Sequence, residues 1–300
     1  MSPAQFRKAN ASQWMQKVAM ENNVSETAFF ARRPISGGDA SIVEFDLRWF
    51  TPSKCVPLGF ELIGYQLLTP RTCMFIDIEL EVALCGHATL SSALVLYEEG
   101  HVPLTSTIHF HTLSGVLVCR SETTTSTTGE EKTLIVMDFP LRSLHPCADT
   151  ITNETLASAL SISTTSILAL KQTQNSDVLV HIDAAAFPSV EPDLQRLRAI
   201  DTRAVVVTAE YPDKATDLDF QSRFFAPKGG IDEDPVTGSA HCALATYWSA
   251  LLGKNHLYAK QACPARGGFL TLELPEDRPD RVLIKGEGVI SLRGVLLTTP

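Results

Sequence analysis

Three short segments carry the residue types and spacings that proton-transfer chemistry needs. The first is Asn22-Asn23-Val24-Ser25-Glu26-Thr27-Ala28-Phe29-Phe30, in which Glu26 stands in a polar trio directly before an apolar run. A carboxyl held against apolar groups loses hydration, which disfavours the anion, raises the pKa and suits it to work as an acid or base. In a solvated loop the same residue would do neither, and this segment alone leaves both readings open. The second segment is Leu84-Cys85-Gly86-His87-Ala88-Thr89. Gly86 permits close backbone approach, and His87 falls at or near a helix start, where unpaired N–H groups favour an anion such as a carboxylate. A lone histidine is more often structural than catalytic. The third runs Ile231-Asp232-Glu233-Asp234-Pro235-Val236-Thr237-Gly238-Ser239-Ala240-His241. Acidic residues and a Ser239 cap suit a solvated helix N-terminus. A second helix start converging on the first would instead make a pocket for a small carboxylated molecule.

An internal repeat brings these segments into relation. Arg48-Trp49-Phe50-Thr51-Pro52 matches Arg223-Phe224-Phe225-Ala226-Pro227, and Cys85-Gly86-His87-Ala88 matches Thr237-Gly238-Ser239-Ala240. In each half a strand ends at a proline, an acidic loop follows, and a glycine opens a helix. The stretches Ala88–Tyr97 and Ala240–Leu252 are small or apolar nearly all round, the pattern of helices buried on every side. Gly100 and Gly253 stand where each should stop. Strands are expected at Thr107–Phe110, Val116–Arg120, Thr133–Asp138, Val178–Ile182, Ala204–Thr208, Gly268–Leu274 and Arg281–Ile284, from their Val, Ile, Leu, Thr and Phe content. Amphipathic helices are expected at Ser12–Asn22, Asn153–Leu160 and Glu191–Ile200. The assembly these imply is α+β: two similar domains, residues 1–140 and 141–300, each a curled β-sheet or barrel around one buried central helix.

Composition narrows the function. At 300 residues, 44% hydrophobic and 20% charged, the chain has the balance of a soluble globular protein. A net charge of −9 argues against nucleic acid as a partner, since such binders need a basic face. No apolar run approaches a membrane span, and the first residues lack the apolar core of a secretory signal. Seven cysteines without paired spacing read as reduced thiols in the cytoplasm, and no ligand pattern suggests structural zinc. Phosphate-cradling and dinucleotide glycine motifs are lacking too.

Five motifs in order, M-Q-K-V-A-M-E-N-N-V-S-E-T-A-F-F, R-W-F-T-P, L-C-G-H-A-T-L, E-D-P-V-T-G-S-A-H and Q-A-C-P-A-R-G-G, resemble the PhzF-like phenazine-biosynthesis proteins from about Phe6 to the C-terminus. The resemblance implies the diaminopimelate-epimerase-like fold, an active site between two barrels, and an isomerase that needs neither cofactor nor metal. It implies that Glu26 is the general acid/base and that His87 and Asp234 assist it. Ser239 would contact substrate, and Gly86 and Gly238 would hold a carboxylate through neighbouring N–H groups. A homodimer is implied in the same way. Related racemases oppose two thiols; here Cys85 has Thr237 as its repeat partner, so a two-thiol inversion is not expected and Cys85 is read as a structural residue of the turn.

Two features depart from the family pattern. Relatives begin with further strands of the first barrel, so that barrel is expected to be incomplete here. Pro52 and Gly86 lie 34 positions apart, where Pro227 and Gly238 lie 11 apart. The excess, about residues 54–80, is apolar and reads as a retained intron translated in frame beside a late start, or as a true lid or partner-binding insertion. The rival to an isomerase is therefore an inactive relative that binds at most a small acid or a partner.

Overall fold

The computed structural model describes residues 6–24, 26–34, 39–52, 81–82, 84–125, 131–264 and 266–296. The 54–80 stretch and the Gly37-Gly38 turn lie outside them. The strands are β1 (Thr27–Arg32), β2 (Ile42–Phe50), β3 (Glu81–Val82), β4 (Thr107–Thr112), β5 (Gly115–Thr125), β6 (Glu131–Pro140), β7 (Leu144–His145), β8 (Ile167–Thr173), β9 (Asp177–Ile182), β10 (Ala204–Glu210), β11 (Phe220–Ala226), β12 (Ile231–Asp234), β13 (His256–Gln261), β14 (Gly268–Glu273) and β15 (Arg281–Gly286). The α-helices are α1 (Ala9–Asn22), α2 (Gly86–Glu98), α3 (Asn153–Leu160), α4 (Leu194–Ala199) and α5 (Gly238–Leu252).

The strands form one sheet in the order β1-β2-β4-β5-β6-β15-β14-β13-β11-β10-β9-β8-β7, with β3 added to β2 and β12 to β11. The α+β reading with buried central helices therefore holds, but among the described residues the sheet is one open path, not a pair of closed barrels. The last strand, β15, returns to pair with β6, so the sheet runs unbroken from the early strands into the late ones. The repeat is written into the pairing. β2 is antiparallel to β1 and β3 and parallel to β4. β11 is antiparallel to β10 and β12 and parallel to β13.

Period-two alternation feeds two cores from the same strands. Leu179, Ala204 and Val206 face the core that holds both central helices, while Val178, Val180, Val205 and Val207 face the core beneath α3. In the first core Trp248 of α5 stacks on Phe220 at 5.2 Å and 4°. Burying several such aromatic and aliphatic side chains, at about 25 cal/mol per Å² of apolar surface, is what holds these two helices inside the sheet. A third cluster, with Met15 and Ala19 of α1 against Phe50, covers the edge near β1.

Helix ends follow their caps. α3 occupies the expected residues, with the Thr152 hydroxyl accepting from Thr155 N and Ser161 closing it at φ 57°. α4 is shorter than the Glu191–Ile200 expectation because Asp193 caps it, its Oδ1 accepting from the N–H groups of Gln195 and Arg196. Ser239 is not the cap of α5. Thr237 takes that position, and its hydroxyl donates to Asp234 instead of capping. Among the described residues no helix is long and apolar enough to cross a membrane.

Candidate active site

The two buried helices meet head to head. A Cβ added to Gly86 would stand 2.9 Å from the Gly238 Cα, and one added to Gly238 would stand 3.1 Å from the Gly86 Cα. Only glycine at both positions lets these backbones touch, and the repeat-related glycines are therefore each other's contact. The contact brings two helix N-termini, each with unpaired N–H groups and the positive end of its dipole, into one place.

Strands β3 and β12 deliver the chain to those helix starts, and each is pinned by an arginine. Arg48 donates to Glu81 through Nε (2.9 Å) and Nη2 (2.6 Å), and Arg223 donates to Glu233 through Nε (2.7 Å) and Nη2 (2.9 Å). Such two-pronged pairs fix direction as well as distance. The remaining nitrogen of each arginine donates to a backbone carbonyl, Phe6 for Arg48 and Val190 for Arg223.

Glu26, just before β1, enters beside the helix starts with its side chain 6% exposed. Its Oε2 lies 3.0 Å from His87 Nε2, an ion-pair contact off the line of a good hydrogen bond. Burial opposes a charge on His87, but the Cys85 sulfur and the Glu26 carboxylate outweigh it and drive its pKa well above the ordinary value. Burial also pushes the Cys85 thiol up. Cys85 Sγ lies 3.8 Å from His87 Nδ1.

Asp234 is buried. Its Oδ2 accepts from the Thr237 hydroxyl, and its Oδ1 has no hydrogen-bond partner. Burial raises its pKa, against the pull of His87 and Thr237. Gln261, 1% exposed, clamps the Asp234–Thr237 turn: its Nε2 donates to the Asp234 carbonyl (2.6 Å), and its Oε1 accepts from Thr237 N (2.7 Å). Glu26, Cys85 and His87 present atoms within 4.8 Å of one another, a set that could hold a divalent cation once the thiol and imidazole gave up their protons.

A cavity of about 380 Å³ gathers Glu26, His87, Asp234, Ser239, Gly86 and Gly238, all six residues singled out from the sequence. A larger one of about 520 Å³ shares the wall of Gly86, His87, Val236 and Gly238 but is lined largely by apolar groups such as Leu90, Met137 and Ile284. The titratable groups converge on the smaller. Sequence reasoning gave no role to Gln261, Arg142 or Arg203, the last two being further lining residues of that cavity. The Q-A-C-P-A-R-G-G motif was the one available signal for Gln261.

The phenazine biosynthesis-like protein family model matches residues 5–66 and 78–294. This chain belongs to the PhzF-like family. The break in the match, 67–77, falls inside the 54–80 stretch. An uncharacterized isomerase of Halalkalibacterium halodurans is 37% identical over 285 residues, 95% of this chain and 87% of the relative. The human phenazine biosynthesis-like domain-containing protein is 34% identical over 295 residues, 94% and 87% of the two chains. The crystal structure of a PhzF-family protein from Enterococcus faecalis superimposes with a TM-score of 0.64 at 32% identity, over 92% of this chain and 84% of that one. A predicted epimerase of Pseudomonas aeruginosa, at 20% identity and a TM-score of 0.66, shares the PhzF/epimerase-like fold.

Proposed function

We propose that this PhzF-like protein is a cofactor-independent isomerase that moves a proton from one carbon to another on a small carboxylated metabolite. The observation that carries the reading is the Glu26–His87 contact at 3.0 Å, in one cavity with the unpartnered Asp234 Oδ1 and two touching helix N-termini. The substrate carboxylate accepts from the N–H groups at the Gly86 and Gly238 helix starts, with Ser239 beside it. The Glu26 carboxylate takes a proton from an acidic C–H, and the electron pair left on carbon spreads toward the bound carboxylate, where the helix N-termini stabilise it. The proton then returns to the second carbon from Glu26 or from protonated His87, so that the substrate keeps its atoms and only a hydrogen and a double bond move. Asp234, held by Thr237 and Gln261, is the third member, placed to relay a proton. With Thr237 opposite Cys85, a two-thiol inversion has no second thiol. Family membership and the relatives named as isomerases support this class of reaction. The unbridged cysteines Cys85, Cys119, Cys147, Cys242 and Cys263 support the cytoplasm as its compartment.

Deuterium wash-in from heavy water, followed by mass spectrometry across a panel of unsaturated and α-acidic carboxylates, tests the reading. Wild type should label a substrate, and Glu26→Gln should reduce the rate by roughly 10²–10⁴-fold. Labelling that survives the substitution removes Glu26 from the role.

A further inference from the structure

The cavity has a second polar wall that the proton-transfer chemistry leaves unused. Arg142, just after β6, is fixed to α5 through its backbone: its N–H donates to the Cys242 carbonyl (3.1 Å), and its carbonyl accepts from the Thr246 hydroxyl (3.0 Å). Its side chain lines the same cavity as Glu26 and Asp234, and its Nε is buried with no hydrogen-bond partner. Buried guanidinium N–H groups are almost always satisfied, because leaving one without an acceptor forfeits its hydration for nothing. Arg203 lines the cavity too. It is bonded to the buried Asp177, and its guanidinium lies 5.8 Å above the Phe224 ring. Asn175 completes this wall with an amide. Two guanidiniums against the one carboxylate of Asp177 leave a net positive charge in this part of the lining.

We propose that the substrate is a dianion: one carboxylate sits on the paired helix N-termini, and a second anionic group, of carboxylate type, is bound by Arg142 with Arg203 beside it. This rests on the reading of the cavity as the active site. Arginine's planar fork suits a carboxylate, and turning the Arg142 fork onto a bound anion would give its buried Nε the acceptor it lacks. The arrangement sets polarity as well as affinity, since fixing both ends of a short dianion leaves one set of C–H bonds facing Glu26.

Calorimetric titration with succinate, glutarate and adipate, against butyrate, valerate and hexanoate, tests it. At least one dicarboxylate should bind wild type roughly 10-fold more tightly than the monocarboxylate of equal length, the gain expected of one charge-assisted contact. Arg142→Gln should erase that preference while leaving monocarboxylate affinity within about 2-fold. If Arg142→Gln fails to fold, Arg142→Lys, which keeps the charge and loses the fork, should reduce the preference several-fold. No preference in wild type, or a preference that survives at position 142, overturns the proposal. Glu26→Gln separates it from the isomerase reading: that variant should lose deuterium exchange and keep the dicarboxylate preference. Exchange without the preference counts against the second subsite alone, and the preference without exchange in wild type counts against the isomerase alone.

Discussion

The unit from Arg48 to His87 and the one from Arg223 to Ser239 are the same framework carrying different side chains. Both arginines clasp a glutamate with two prongs and lie over the next aromatic ring but one in the chain, Arg48 at 5.0 Å from Phe50 and Arg223 at 4.9 Å from Phe225. The clasped partner is 33 positions away in the first unit and 10 in the second, so the intervening chain does not alter where the carboxylate lands. Val82 pairs with Trp49 as Asp234 pairs with Phe224. Thus the second unit places a buried carboxylate where the first has a valine. After each glycine comes His87 in one unit and Ser239 in the other. What the units share is backbone, the cradle that two helix starts make together. What distinguishes them is the set of side chains able to hold a proton, and a directed proton shift needs its two sides to differ.

The largest effects should follow that asymmetry. His87→Asn and Asp234→Asn are each expected to slow deuterium exchange by roughly 10²–10⁴-fold, whereas Ser239→Ala, at the counterpart of His87, should cost only about 10-fold, the worth of one hydrogen bond. Equal losses at 87 and 239 would mean that the two units share the chemistry evenly. The framework should be symmetric where the chemistry is not. Arg48→Ala and Arg223→Ala each strand a largely buried glutamate and should lower unfolding free energy in denaturant titration by about 3 kcal/mol; a large gap between the two would break the equivalence. Gly86→Ala and Gly238→Ala push on the same backbone contact from opposite sides, and each should cost about 1–3 kcal/mol by overpacking, again by similar amounts. A pH-dependent effect distinguishes the helices one turn further on. Thr89 donates its hydroxyl to the Cys85 carbonyl and His241 Nδ1 bonds the Thr237 carbonyl, so a neutral hydroxyl stands opposite an imidazole. Burial lowers the pKa of His241 to about 4. Between about pH 6.5 and 4 the unfolded chain takes up a proton there that the folded chain refuses, so stability should fall on acidification by at most about 1.4 kcal/mol per pH unit. Denaturant titrations from pH 7 to 4 should reveal that slope, and His241→Thr should remove its contribution.

Local signals made much of this legible beforehand. The all-round apolar stretches gave the two central helices, since a helix without a polar face has nowhere to go but inside. The matched Arg-aromatic and glycine motifs gave the repeat. The short polar segments drew notice, and the PhzF-like resemblance singled out Glu26, His87, Asp234 and Ser239, which the fold brings to one cavity. Where local signals misled, a distant partner had intervened. Ser239 looks like a cap, but Thr237 is held by Asp234 and Gln261, and the helix begins at Gly238 with Thr237 before it. Strand β13, with His256, Tyr258 and Lys260 on its outer face, lacks an apolar run and was not expected. Arg142 carries no local pattern and Gln261 only its place in the Q-A-C-P-A-R-G-G motif, because the role of a buried amide or guanidinium is defined by what surrounds it.

The sequence by itself determined the period of each element, the two glycine-opened helices and the family, because these rest on neighbours within a few residues or on matched motifs. Only the tertiary structure decided that Gly86 and Gly238 are in contact, that Glu26 meets His87 across 61 positions of chain, and that the sheet stays one open path among the described residues. Those outcomes depend on where sheet twist and core packing carry segments far apart in the chain, and on a desolvation that no single segment can impose on its own side chains.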